Sequence, residues 1–347
     1  MAEGIYALCV VLLAVATLGT QVTYGDVPTE LQKKINSINQ NGTYLGVVIP
    51  NTFELNPLLQ SPSYSPDKGL PYVDFAGRRF RFGSLEGKKV ILVMTGLGMI
   101  NAATTTQLLL GLFNVEGVVH YGIAGNASPS LIIGDVTIPR FWAHSALWNW
   151  QRYGDGPQNE LPLESSGDYT REYGFLKFAD YSTDGNNVIP DADNLLNNVW
   201  YQPEEIFPVD GTPEERQHAF WVPVDPYYFA VAEKILGLKL EGCINSTLCL
   251  PRTPMVTRVT RGMSASIFLD NAAYRNFLFS KFNPVPVDME SASVALVCHQ
   301  QRVPFIIIRA LSDLAGGGSA QSNEANIFVS LAVENSITAV VEFIKRL

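Results

Sequence analysis

The chain has 347 residues, 47% of them hydrophobic, with no internal repeat, enough to bury one large core in one or two domains. Its formal charge of −9 and the lack of any long Lys/Arg cluster argue against a nucleic-acid partner, whose backbone demands a basic face. The four histidines (His120, His144, His218, His299) show no i, i+4 pairing and the cysteines form no CxxC pair, so no metal is expected.

Ile5 to Leu18 is an apolar stretch of signal-peptide length, shorter than the ~20 residues of a membrane span. Thr23 and Gly25 in the polar segment after it suit a small-residue cleavage rule, so residues 1–25 read as a secretory leader and 26–347 as one domain, with no membrane anchor after cleavage. Loss of Cys9 leaves Cys243 and Cys249, which can close a small loop in an oxidising lumen, and Cys298, which reads as a buried free thiol. Sequons at Asn41, Asn126 and Asn245 are compatible with glycosylation on that route.

Leu45 to Ile49 reads as a first strand ended by Pro50-Asn51, and Leu55, Leu58 and Leu59 begin a helical pattern shortly after, next to Glu54. Val90 to Met94 is a second buried strand, followed by Thr95-Gly96-Leu97-Gly98 and an apolar-periodic helix to about Phe113. Val115 to Tyr121 is a third strand, closed by Gly122-Ile123-Ala124-Gly125, and Asp135 to Ile138 a fourth. From about Trp148 to Val222 the rhythm breaks, and a Pro-, Gly-, Asn- and acid-rich stretch reads as a long surface insertion. Regular structure resumes with a helix over Pro226 to Leu240, a strand near Pro254 to Thr260 and a helix over Asn271 to Phe279. Glu290 opens a helix that continues over Ala292 to Arg302, and Phe305 to Ala310 is a β-branched run typical of a buried strand, with Asp313 just past its end. Strands alternating with helices and ending in glycine-rich turns predict an α/β fold.

Two acids in different contexts are the strongest chemical signal. Val287-Asp288-Met289-Glu290-Ser291 and Leu311-Ser312-Asp313-Leu314 place Glu290 and Asp313 near the carboxyl ends of strands, where α/β sheets bind ligands. One carboxylate can hold a sugar while the other protonates a leaving base; taken singly, each also fits a helix-terminal acid or a turn. Thr95-Gly96-Leu97-Gly98 sits where backbone N–H groups and a helix dipole can bind an anion, or where a tight turn packs on the sheet. Gly125 and its neighbours let a flat ligand approach the backbone, and His120 just upstream is a ligand or a satisfied strand histidine.

In this order and spacing, the segments Gly46 to Glu54, Thr95 to Ala102, Tyr121 to Gly125, Val287 to Glu290 and Arg309 to Asp313 resemble the nucleoside phosphorylase and nucleosidase superfamily. That superfamily includes methylthioadenosine/S-adenosylhomocysteine nucleosidases and purine nucleoside and uridine phosphorylases. The leader, the His120 to Ala127 segment and the central insertion look closest to its plant branch of bark and vegetative storage proteins and cytokinin riboside phosphorylase-like enzymes. The resemblance implies a three-layer α/β/α domain around a central mixed sheet, a homo-oligomer with a dimer favoured, no cofactor, and a vacuolar or extracellular location. It also implies that Met289 and Glu290 line the ribose, that Asp313, oriented by Ser312, serves N7 of a purine, and that Phe268 stacks on a base lying near Gly125. The chemistry agrees: cleaving an N-glycosidic bond builds positive charge on the sugar and negative charge on the base, and two carboxyl groups can divide that work.

The attacking group divides the family. Glu54 falls where nucleosidases place the acid that activates water, whereas phosphorylases tend to carry an arginine there. His120 falls where phosphorylases carry a phosphate-binding arginine, and Thr95 with Gly96 can cradle the anion if His120 is protonated in an acidic compartment. Glu54 speaks for hydrolysis, but His120 in such a compartment, combined with the resemblance to cytokinin riboside phosphorylase-like proteins, favours phosphorolysis of adenosine or an N6-substituted relative to base and ribose 1-phosphate, with inorganic phosphate as co-substrate. Hydrolysis is the alternative, and a storage role with little catalysis is a third reading, opposed by the intact set Glu54, Met289, Glu290, Ser312 and Asp313.

Overall fold

The computed structural model describes residues 27–150, 175–177, 198–317 and 325–347; the expected leader and the greater part of the expected insertion lie outside the described residues. The chain divides into residues 1–41, whose described part is helix α1 (Thr29–Gln40), and residues 42–347. The compact unit that carries the cleft is residues 42–347.

In that unit the first strand, β1 (Tyr44–Ile49), is buried along its whole length between two parallel neighbours, β5 (Lys88–Met94) and β6 (Val115–Asn126). Burial on both faces explains why these strands read as continuous apolar runs instead of alternating ones. Beyond β6 the sheet closes on itself. β6 pairs with β16 (Phe305–Leu314), β16 with β7 (Val136–His144), β7 with β14 (Val256–Ser264), β14 with β15 (Pro286–Asp288), and β15 returns to β6. On the other side β4 (Arg78–Leu85), β2 (Tyr64–Pro66) and β3 (Tyr72–Phe75) extend β5 as an antiparallel meander. The result is an α/β fold around a central mixed sheet.

The helices are α2 (Thr52–Gln60), α3 (Met99–Leu112), α4 (Pro226–Val231), α5 (Ala272–Phe282), α6 (Ser291–Gln300) and α7 (Ala325–Arg346). α3 packs on α6, whereas α7 lays Ala339, Val340, Phe343 and Ile344 into the core over β16 and β6. The helix expected over Pro226 to Leu240 is shorter: after Val231 the backbone tightens into a 3₁₀ turn, Ala232–Ile235, that Gly237 follows.

The insertion is only partly a surface feature. β8 (Trp148–Trp150), β9 (Phe175–Lys177) and β10 (Asn198–Tyr201) form a small antiparallel sheet, and β11 (Glu204–Ile206) pairs with β12 (Gln217–Ala219). Its end is core: Tyr201 and Phe220 pack with Leu278 and Phe282 of α5, and Val222 opens β13 (Val222–Pro223) on the edge of β7. Cys243 and Cys249 form a disulfide, and Cys298 is a buried thiol whose pKa is raised by that burial. Asn126 is fully buried, its amide donating to Leu131 O while Ser128 N donates to its Oδ1, so this sequon is closed to modification.

Candidate active site

A cleft of ≈ 200 Å³ opens at the carboxyl ends of β1, β6, β15 and β16, between the first turns of α2 and α3. Glu54 reaches it from α2. Asn51 caps this helix: its side chain accepts from Phe53 N and Glu54 N, and Glu54 Oε2 accepts from Asn51 N at 3.1 Å, a reciprocal capping box. Oε1 of Glu54 accepts from Ile123 N at 2.8 Å, which fixes the carboxyl against β6. With 1% of its surface exposed, Glu54 has a pKa pushed up to about 7 by burial, against the pull of Arg309.

Arg309 is the residue that sequence reasoning missed. It lies fully buried on β16, and Nε pairs with Asp288 Oδ2 at 2.7 Å and donates to Ser291 Oγ at 3.0 Å. Nη1 donates to Ile123 O at 3.2 Å and stands 4.0 Å from Glu54 Oε1, while Nη2 is 3.6 Å from Glu290 Oε2. One guanidinium thus serves three carboxyl groups. A signal was present: a charge inside Phe305-Ile306-Ile307-Ile308-Arg309 must find partners when the strand is buried. Gly122 belongs to the same arrangement, because a Cβ there would fall 2.3 Å from both Arg309 Nη1 and Glu54 Oε1.

Glu290 and Met289 line the cleft from the turn before α6. Oε1 of Glu290 accepts from Gly98 N at 2.9 Å, tying the turn to the start of α3, and burial raises its pKa while Arg309 opposes the shift. Asp288 holds the turn itself, accepting from Ser264 Oγ at 2.5 Å and from Ser291 N at 3.1 Å.

Asp313 faces the cleft from within β16, not beyond its end. The pairing with β6 continues through Asp313 opposite Gly125 and Leu314 opposite Asn126, with a bulge between Leu311 and Asp313 that leaves Ser312 out of register. Ser312 Oγ contacts Asp313 Oδ1 at 2.7 Å and Ala124 O at 3.3 Å. Gly125 forms the wall between them, and Phe268 stands 63% exposed at the mouth.

The residues expected to hold an anion are elsewhere. His120 is fully buried; its Nδ1 is 2.8 Å from Val48 O and its Nε2 is 2.5 Å from Arg309 Nη2. A carbonyl only accepts and a guanidinium only donates, so Nδ1 carries the proton and the ring is neutral. Burial, then Arg309, hold its pKa well below the ordinary histidine value. A protonated His120 binding phosphate does not fit this environment. Thr95 N donates to Ile49 O, Gly96 N to Pro50 O and Thr95 Oγ1 to Gly96 O, and both residues face a separate hollow lined by Arg78, Arg79 and Arg81. At the start of α3, Gly98 N is taken by Glu290 and Met99 N by Ser266 Oγ.

Residues 44–345 match the phosphorylase superfamily over nearly the whole compact unit. The chain belongs to this superfamily. Among curated relatives of this phosphorylase-superfamily protein, bark storage protein A of Populus deltoides is 32% identical over 305 residues, covering 87% of this chain and 88% of that one. A 5′-methylthioadenosine/S-adenosylhomocysteine nucleosidase of Halalkalibacterium halodurans is 26% identical over 77% of this chain and 85% of its own length. In fold, the protein is similar to futalosine hydrolase of Helicobacter pylori (TM-score 0.58, 18% identity, 89% of this chain and 100% of that one). The 5′-methylthioadenosine/S-adenosylhomocysteine nucleosidase of Neisseria meningitidis, solved with methylthio-immucillin-A, is similar at TM-score 0.58 and 21% identity, over 88% of this chain and 100% of that one.

Proposed function

We propose that this superfamily member hydrolyses the N-glycosidic bond of a purine nucleoside, with 5′-methylthioadenosine and S-adenosylhomocysteine as the first substrates to try. The observation that carries this reading is Glu54: a buried carboxyl with a pKa near 7, facing the same cleft as Glu290 and Asp313, suits a general base for water. Phosphorolysis, expected from the sequence, loses its support because His120 is a neutral acceptor for Arg309 and the N–H groups of Thr95, Gly96, Gly98 and Met99 already have partners. The substrate class follows the names of the nucleosidase relatives.

In this scheme Glu290 accepts hydrogen bonds from the ribose hydroxyls beside Met289, Phe268 stacks on the base, and Asp313 carries a proton opposite N7. Water gives a proton to Glu54 as its oxygen bonds to C1′. The C1′–N9 bond breaks with its electron pair passing to the base, and the Asp313 proton moves to N7. Free sugar and neutral base leave, and the two carboxyl groups exchange protons with solvent. The disulfide supports a secretory setting. Exposed Leu97 and Phe268 at the mouth support a second copy covering it.

A storage role is the second reading, favoured by the identity to bark storage protein A. The deciding experiment incubates purified protein with 5′-methylthioadenosine, S-adenosylhomocysteine and adenosine, with and without phosphate, and identifies the sugar. Free sugar at a phosphate-independent rate is expected; a sugar 1-phosphate overturns hydrolysis, and no release from any of the three favours storage.

A further inference from the structure

Arg309 and Glu54 do not close the ion pair that their proximity invites. A guanidinium and a carboxylate in a buried site ordinarily lock together with two parallel hydrogen bonds, yet here the nearest approach is 4.0 Å. Each edge of the guanidinium is held by another acceptor. Nε is taken by Asp288 and Ser291, Nη1 by Ile123 O, and Nη2 by His120 Nε2. The first three sit at the end of β15, at the start of α6 and on the strand that carries the cleft wall. His120 is different: it does not line the cleft, and its other nitrogen is anchored on Val48 of β1.

We propose that His120 is a positioning residue: its neutral ring, hung from β1, holds the Arg309 guanidinium out of a closed pair with Glu54 and so keeps Glu54 basic enough to activate water. This rests on the hydrolytic reading for its purpose, but the restraint itself does not. The charged and titratable groups around Glu54 are Arg309 and, across the cleft, Asp313 on β16, Asp288 at the end of β15, Glu290 before α6, and His120 and Tyr121 on β6; Tyr121 donates its hydroxyl to Glu54 O and leaves the carboxyl alone. Arg309 is the one cation in that set, because His120 is neutral. Freed from His120, its Nη2 is left with Glu290, and the guanidinium turns toward the two glutamates. An opposite charge moving into contact lowers a carboxyl pKa by roughly 1–3 units, which trades a good base for a weak one.

Two substitutions separate the two halves of the imidazole. His120→Asn can still donate an amide N–H to Val48 O but is too short to reach Arg309. His120→Gln can offer its carbonyl oxygen to Arg309 and gives up the Val48 contact. The titration of Glu54 is read by carbon NMR on protein labelled at the Glu side-chain carboxyl, with the resonance assigned by its loss in Glu54→Gln, and the pH profile of kcat/KM is recorded alongside. In His120→Asn the Glu54 midpoint and the acidic limb are expected to fall together by about 1 unit or more, while His120→Gln stays with the wild type. An unmoved midpoint in folded His120→Asn, or an equal shift in both variants, overturns the proposal. If the wild type releases no base, the hydrolytic reading fails while the NMR titration still decides what His120 does to Arg309.

Discussion

Glu290 accepts a 2.9 Å hydrogen bond from Gly98 N, 192 residues earlier in the chain, so the start of α3 is occupied by the protein's own carboxylate. Helix N-termini favour anions, and here that preference is spent on a side chain that also lines the cleft. Glu290→Gln keeps an oxygen for Gly98 but removes the charge that, in the proposed reaction, steadies a cationic sugar. It is expected to lower kcat by about 10²–10³ with little change in Tm. Glu290→Ala also leaves Gly98 N without its acceptor and is expected to cost about 1 kcal/mol of stability. Steady-state kinetics and thermal melts of both variants check this; equal kcat in the wild type and Glu290→Gln would sink the assignment.

Glu54 predicts a pH profile with a definite sign. Acting as base it must be ionised, so kcat/KM is expected to rise with pH through a limb near 7. Stability runs the other way. The folded value lies above the ordinary 4.5, so the folded chain binds the proton more tightly than the unfolded chain between about 4.5 and 7. That contribution is fully present below 4.5 and is lost as pH rises through 7. Glu54→Gln is therefore expected to abolish turnover and yet to gain stability over the wild type at pH 8 compared with pH 4; parallel denaturation curves at the two pH values decide it.

Gly122 is expected to tolerate nothing larger. Alanine there would push a methyl group to 2.3 Å from both Arg309 Nη1 and Glu54 Oε1. Neither group can retreat, since the arginine is held on all sides and the carboxyl is fixed by Ile123 N and Asn51 N. Overpacking of this kind costs about 1–3 kcal/mol, and the displaced carboxyl should remove activity as well. A Gly122→Ala protein with wild-type denaturation midpoint and rate would contradict the crowding.

How far these features were readable in advance differs residue by residue. Val287 to Glu290 and Leu311 to Asp313 carried the cleft carboxyls of Glu290 and Asp313 in plain view, and Leu55, Leu58 and Leu59 announced the helix whose first turn holds Glu54. The apolar runs of β1, β5 and β16 gave the sheet because burial on both faces leaves no ambiguity of period. β4 went unread although Phe80 and Phe82 alternating with Arg79 and Arg81 is the pattern of a strand with one buried face, and its pairing with β5 is what places it in the sheet. The bulge at Ser312 depends on register with β6, and the role of His120 depends on an arginine 189 residues away. Local pattern reports which groups are present; only tertiary pairing reports which donors are already used.

Asp313 gives the sharpest test of the leaving-group chemistry. If it hands a proton to N7 of a purine, its removal should matter in proportion to how badly the leaving group needs that proton. Asp313→Asn keeps the size of the side chain and, through its carbonyl oxygen, the contact with Ser312 Oγ now seen at 2.7 Å. With a purine nucleoside the expected loss in kcat is about 10²–10⁴. With 4-nitrophenyl riboside, whose anion departs without protonation, the same variant should keep most of its rate. A proton donor predicts this split in kcat, whereas a residue that only recognises the purine would raise KM, one that merely shapes the cleft would slow both substrates alike, and one without function would slow neither.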